Sequence, residues 1–155
     1  MTIYLDHAAS APVRAVARDA WLAASAIAGN ASSVHGAGQA ARRLLEESRE
    51  AIAAVVDCDP IEVVFTSGGT ESINLALKGL WWARAAGTDA VVLPDGEHHA
   101  TTASVEWLAA AQGAAVRSVG LDAVGAIGVP AIAAALPGAA LATALVANNE
   151  VGTVQ

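Results

Sequence analysis

Short runs of consecutive apolar residues alternate along the chain with longer stretches in which apolar positions recur every three or four residues. The first rhythm predicts strands at 3–5, 62–66, 90–93, 115–119 and 141–147. The second predicts helices at 13–28, 39–56, 71–85, 101–111 and 131–136. The helix over 39–56 is the clearest amphipathic case: Leu44, Leu45, Ile52, Val55 and Val56 share the face expected to turn inward, while Arg42, Arg43, Glu46, Glu47, Arg49 and Glu50 face out. Asp57-Cys58-Asp59-Pro60 ends it, and the small polar residues from Gly29 to Gly36 read as a loop. Strands alternating with helices predict an α/β domain on a mostly parallel sheet, where ligands gather at the carboxyl ends of strands.

One stretch challenges that reading. No charged residue occurs from Ala123 to Asn149, and 126–147 is nearly all apolar, long enough to cross a bilayer. Pro130, Pro137 and Gly138 divide the run, however, and alanine contributes little to membrane insertion, so a short helix, a Pro-Gly turn and a buried strand are expected instead. The 155 residues suffice for about one domain. A hydrophobic share of 55% against 15% charged residues excludes a disordered chain. With 8 basic and 15 acidic residues the net charge is −7 and no basic stripe forms, which argues against nucleic-acid binding. Cys58 is the single cysteine and cannot form an internal disulfide, and no signal-peptide pattern opens the chain; the expected location is cytoplasmic.

Three polar groups follow three of the predicted strands. Thr66-Ser67-Gly68-Gly69-Thr70-Glu71 joins a strand to a helix, and its glycines, hydroxyls and helix N-terminus can cradle a phosphate; it lacks the nucleotide P-loop's Gly-Lys-Ser/Thr, so a monophosphate suits it better than ATP or NAD. The same residues also read as a plain helix cap with Glu71 facing the dipole. Glu97-His98-His99-Ala100 follows the strand at 90–93, where an imidazole can stack on a flat ligand or move a proton, or simply be part of a loop. No spaced ligand set accompanies it, so no metal site is expected. Asn148-Asn149-Glu150-Val151-Gly152 can offer an amide to a ligand oxygen or make an Asx turn. Convergence of the three on one rim is a stronger signal than any of them separately.

With Tyr4-Leu5-Asp6-His7-Ala8-Ala9, Gly29-Asn30-Ala31-Ser32-Ser33-Val34-His35 and Asn74-Leu75-Ala76, these motifs resemble, in order and spacing, the N-terminal part of the pyridoxal-phosphate (PLP) cysteine desulfurases, with other class-V aminotransferases as near alternatives. The chain departs from the family's usual residue at His7, Ala31 and Gly69. The resemblance implies PLP fold type I, the aspartate-aminotransferase-like large domain with a mostly parallel and here incomplete sheet. Residues 1–36 would hold an N-terminal strand, helix and loop, and 37–155 the start of the sheet. It places the cofactor phosphate at Gly69 and Thr70, stacks His98 on the pyridine ring as a proton-transfer group, and gives Asn149 the ring's phenolic oxygen. The implied reaction takes sulfur from L-cysteine, leaving L-alanine and an enzyme persulfide for iron–sulfur cluster or thio-cofactor assembly. The implied assembly is a homodimer; a complementing C-terminal chain or a sulfur-acceptor protein is a further implied partner, and no membrane or nucleic acid is.

That chemistry needs a lysine to hold the cofactor and, in this family, a cysteine to accept sulfur. Lys78, the single lysine, lies eight residues after Thr70, on the order of 12 Å along a helix, and reads as a helix-surface charge. Cys58, between Asp57 and Asp59 at a helix end, is a poor thiolate. The family's own lysine, ring-nitrogen carboxylate and cysteine would follow Gln155. The expectation is therefore an N-terminal part of a cysteine desulfurase that is inactive alone. The alternatives are a non-catalytic binding or scaffold domain and a selenocysteine lyase.

Overall fold

In the computed structural model, which describes residues 3–155, the apolar run Ala90-Val91-Val92-Leu93-Pro94 forms strand β1 (Ala90–Pro94), with Ala90, Val91 and Val92 wholly buried. Such a run suits a strand covered on both faces, the usual state of a parallel sheet. Strand β2 (Ala115–Val119) pairs parallel with β1 from Ala90↔Ala115 to Pro94↔Val119. Strand β3 (Ala139–Ala142) pairs parallel with the other edge, Val91 opposite Leu141, giving the order β2-β1-β3. The sequence therefore visits one side of β1 and then the other, and the order reverses beside β1, where ligands of α/β sheets bind.

Two units divide the chain, Met1–Phe65 and Thr66–Gln155. The second contains the sheet, with α3 (Gly69–Trp82) and α4 (His99–Gln112) packed on each other, and α5 (Val129–Ala135) between β2 and β3. Leu77 and Trp81 of α3, Val105 and Leu108 of α4, Val91 and Ala114 form its core. Arg117 of β2 donates to the carbonyls of Ala135 (2.8 Å) and Pro137 (2.6 Å), satisfying acceptors that α5 leaves open at its carboxyl end. The uncharged stretch resolves into α5, a turn at Pro137-Gly138 and β3. Among the described residues no helix is long and apolar enough to cross a membrane.

The first unit holds α1 (Ala15–Ser25), α2 (Gly36–Val56) and a single 3-10 turn at Pro60–Glu62. Gly38 is buried where the loop at 29–35 folds over the start of α2: a Cβ there would come within 2.4 Å of the Ser33 carbonyl oxygen. Three sequence expectations need correction in this unit. Residues 3–5 form no strand: the Tyr4 hydroxyl donates to the carbonyls of Asp6 (2.8 Å) and Ser10 (3.1 Å), drawing the segment onto itself, and Ile3 and Leu5 stay exposed. Residues 62–66 form no strand either. Glu62 belongs to the 3-10 turn, where its carboxylate accepts from the Asp59 N–H (2.9 Å), and Arg49 donates to the Val63 carbonyl while its guanidinium lies 4.9 Å over the Phe65 ring. One carbonyl that a strand partner would use, that of Val63, is thus taken by a side chain. The face of α2 expected inward is largely exposed, Val55 and Val56 most of all; among the described residues Ala53 is the buried hydrophobic residue of α2.

In the second unit the helix and strand positions match the periodicity, with shifted ends. The main difference is β3, which stops at Ala142 rather than running to 147, because the next free amide, Leu145, donates to the Glu97 carboxylate. Leu108→Ala should lower unfolding free energy by about 2–5 kcal/mol, whereas Leu80→Ala, at an exposed site of α3, should change it by less than about 0.5 kcal/mol. Urea midpoints at constant m-value check both.

Candidate functional site

Helix α3 starts at Gly69 after an extended Gly68, and no side chain caps it. The first turn of a helix leaves its N–H groups without intrahelical acceptors. Here the Ser72 N–H returns to the Gly68 carbonyl (3.1 Å), while the amides of Gly69, Thr70 and Glu71 and the Thr70 hydroxyl have no acceptor among the described residues. A Cβ at Gly68 or Gly69 would meet nothing within 4 Å, so an alanine at position 69 would fit. Ser67 is not part of this free set. Its N–H and its hydroxyl both donate to the Glu71 carboxylate at 2.6 Å. Those two bonds, the hydroxyl's first, hold the Glu71 carboxyl below its ordinary value of 4.5. Thus Glu71 ties off the loop before the helix, and the free donors are those of residues 69–71.

The loop after β1 runs from Asp95 to His98. Asp95 N–H extends the β1–β2 ladder to the Val119 carbonyl (2.8 Å). His98 is the N-cap of α4: its Nδ1 accepts from the Ala100 N–H at 3.1 Å. In the neutral ring that acceptor role puts the proton on Nε2, leaving Nε2 and the ring faces for other partners.

Thr70 and His98 line one cleft of about 420 Å³ between α3 and α4. From α3 it takes Thr70, Asn74 and Lys78, one face of the helix at four-residue spacing; from α4 it takes Ala103, Ser104 and Trp107. Lys78, read from sequence as a surface charge, is half-buried with its Nζ 4.3 Å over the centroid of the Trp107 ring, a cation–π contact. The i, i+4, i+8 stripe of Thr70, Asn74 and Lys78 is visible in the sequence and would have placed Lys78 on the cleft face. A larger groove of about 680 Å³ lies along α2 in the first unit, mainly apolar, and holds none of the expected site residues. Cys58 sits in that unit, half-buried just after α2 ends at the left-handed Asp57. Among the described residues no group of three or more His, Cys, Asp or Glu could hold a metal.

Gly69 adjoins Thr70 at the opening of α3 but does not line the cleft. Asn149 lies outside that lining too. It is exposed in the loop after β3, its Nδ2 donating to the Glu150 carboxylate at 3.0 Å. The buried asparagine of the motif is its neighbour Asn148, whose Oδ1 accepts from the amides of Glu150 (2.8 Å) and Val151 (3.1 Å) and whose Nδ2 donates to the Gly96 carbonyl (3.0 Å). The Asx turn and the exposed amide therefore fall on adjacent residues.

Residues 3–155 match the aminotransferase class-V family profile. The IscS-like cysteine desulfurase of Mycobacterium tuberculosis is 45% identical over 97% of this chain and 40% of its own length. Among solved structures, a NifS-like protein superposes with a TM-score of 0.93 at 30% identity, covering 100% of this chain and 43% of that one. SspA in complex with cysteine superposes at 0.90 and 32% identity, covering 99% and 45%. The α/β fold with its parallel sheet is thus that of the NifS-like PLP fold type I structures, and the chain spans about 40% of the length of the M. tuberculosis relative.

The Glu71 carboxyl gives a direct check on the closure of the loop before α3. Its folded value is lowered, so the bonds from Ser67 contribute stability above the unfolded value and lose it as pH falls through the folded value. Titration followed by side-chain carboxyl NMR should find a midpoint below 4.5, and Ser67→Ala, which removes the hydroxyl but keeps the main-chain donor, should move it part of the way back.

Proposed function

We propose, for a chain that belongs to the class-V aminotransferase family, that it forms the N-terminal part of the PLP site of a cysteine desulfurase, an enzyme that takes sulfur from L-cysteine and leaves L-alanine. The observation that carries this reading is the pairing, in one cleft, of Thr70 beside three unpaired amides of α3 with His98 at the carboxyl end of β1. The sequence likeness to cysteine desulfurases supports the substrate.

These residues fit a phosphate monoester. Free amides, a free hydroxyl and the positive end of a fourteen-residue helix are what a dianion requires. Gly69 and Thr70 would hold the phosphate, with amides preorganised because no intramolecular acceptor must be given up first. His98 would lie against the ring and hold or pass a proton at Nε2, its Nδ1 being held by the Ala100 amide. Asn149 would donate to the ring's phenolic oxygen through the Nδ2 hydrogen not bonded to Glu150. When bound, PLP supplies the electron sink that permits bond breaking at the amino acid's α and β carbons.

We assign the cofactor's covalent anchor and the sulfur acceptor to neither Lys78 nor Cys58. Lys78 is engaged on the Trp107 ring, and Cys58 belongs to the first unit and is not among the residues lining the cleft of Thr70 and His98. The same reading gives the enzyme a homodimeric, cytoplasmic form and a part in iron–sulfur or thio-cofactor assembly.

Titrating the purified chain with PLP and with pyridoxal, followed by tryptophan fluorescence, tests the phosphate site. PLP should bind about tenfold or more tighter than pyridoxal, and Thr70→Val should weaken PLP while leaving pyridoxal unchanged. Equal affinity for the two would contradict the assignment. Borohydride treatment should leave Lys78 unmodified, and the chain by itself should form no alanine from L-cysteine. A trapped adduct on Lys78 would show that the anchor had been assigned wrongly.

A further inference from the structure

The sheet does not hold together the two loops that carry His98 and Asn149. Strand β3 ends at Ala142, and the last ladder bond runs from the Thr143 N–H to the Val92 carbonyl (3.2 Å). Past that point the loops after β1 and β3 are joined by two side chains. Glu97, half-buried, accepts the Leu145 N–H at 2.6 Å, and Asn148, 8% exposed, donates through Nδ2 to the Gly96 carbonyl at 3.0 Å. One side chain reaches from the first loop to the second and the other reaches back, and in both bonds the second loop donates to the first. Each of the two residues is the chain neighbour of a residue assigned to the cofactor.

Asn148 is further fixed within its own loop. Its main-chain N–H donates to the Thr153 carbonyl (2.8 Å), and its carbonyl accepts from Gly152 (2.9 Å). Gly96 has φ +77, and a Cβ there would stand 3.0 Å from Leu121 Cδ1 and 3.4 Å from Asn148 Nδ2. The left-handed backbone of the turn therefore favours a glycine at that position. A carboxylate bonded to a main-chain amide is a charge-assisted pair, stronger than a neutral one.

We propose that Glu97 and Asn148 are positioning residues that staple the β1 and β3 loops together, so that His98 and Asn149 stand at a fixed separation before any ligand arrives. The inference rests on the assignment of His98 and Asn149 given above. Neither Glu97 nor Asn148 touches the cofactor in it; they act through their neighbours.

Three variants separate this role from a general structural one. Glu97→Ala removes the acceptor for Leu145, and Glu97→Gln keeps a neutral one. Asn148→Asp keeps the Oδ1 bonds of the Asx turn and removes the donor to Gly96. In the ligand-free, isotope-labelled chain, Glu97→Ala should speed exchange of the Leu145 amide by about tenfold or more and shift the Asn149 side-chain amide signals, with Glu97→Gln restoring most of both. Asn148→Asp should shift the His98 ring signals while the Glu150 and Val151 amides keep theirs. Unchanged Leu145 exchange in Glu97→Ala, no recovery in Glu97→Gln, or changes confined to the loop that carries the substitution would each overturn the proposal. Should Glu97→Ala not fold, Glu97→Gln and Asn148→Asp decide it through the same signals. PLP titration of the set is a separate readout: affinity should fall about tenfold in Glu97→Ala and recover in Glu97→Gln. A parent chain that does not bind PLP would defeat the functional reading, while exchange and ring shifts still judge the staple.

Discussion

Burying β1 on both faces and both edges sets the terms for the second unit. Ala90, Val91 and Val92 are wholly buried, and a strand with that much apolar surface removed from water needs helices over its faces and a neighbour on each side. α4 follows β1 directly and leads into β2 on one edge, while α5 leads into β3 on the other. Past the carboxyl end of β1 the chain turns into α4 through His98, so the paired strand and the packed helix set where the imidazole stands.

The chemistry at that rim depends on groups left unpaired. A helix start whose amides already had acceptors would have to break those bonds to hold an anion, whereas the amides of residues 69–71 have no acceptor among the described residues. Glu71 contributes by engaging both donors of Ser67, which closes the loop and leaves the helix start itself free. Lys78 adds a cation to the same cleft, half-buried against Trp107, so the space between α3 and α4 combines an aromatic wall with several donors.

How much of this was legible in sequence depended on whether local pattern or tertiary pairing decided each element. β1, α3 and α4 follow the apolar periodicity because their faces are buried in the core, and β2 follows it by pairing along the edge of β1. Residues 3–5 and 62–66 have the composition of strands but no ladder, since strand formation needs a partner that propensity cannot supply. In the second case Arg49 takes the Val63 carbonyl. β3 is shorter than its apolar run because a carboxylate 48 positions earlier in the chain takes the Leu145 amide, a non-local bond with no sequence signature. At the site, the glycine loop and His98 were readable from their place after apolar runs. The buried role of Asn148 was not, because the motif offers two adjacent asparagines and only the fold distinguishes them.

A crystal structure of the chain grown with PLP addresses the central claim most directly, that the carboxyl rim of β1 and the start of α3 form one preorganised cofactor site. The account predicts the phosphate within hydrogen-bonding distance of the Thr70 hydroxyl and the amides of residues 69–71, the ring against His98, and the Glu97–Leu145 and Asn148–Gly96 bonds unchanged from the ligand-free chain. A phosphate bound elsewhere, or a ring that does not meet His98, would contradict it.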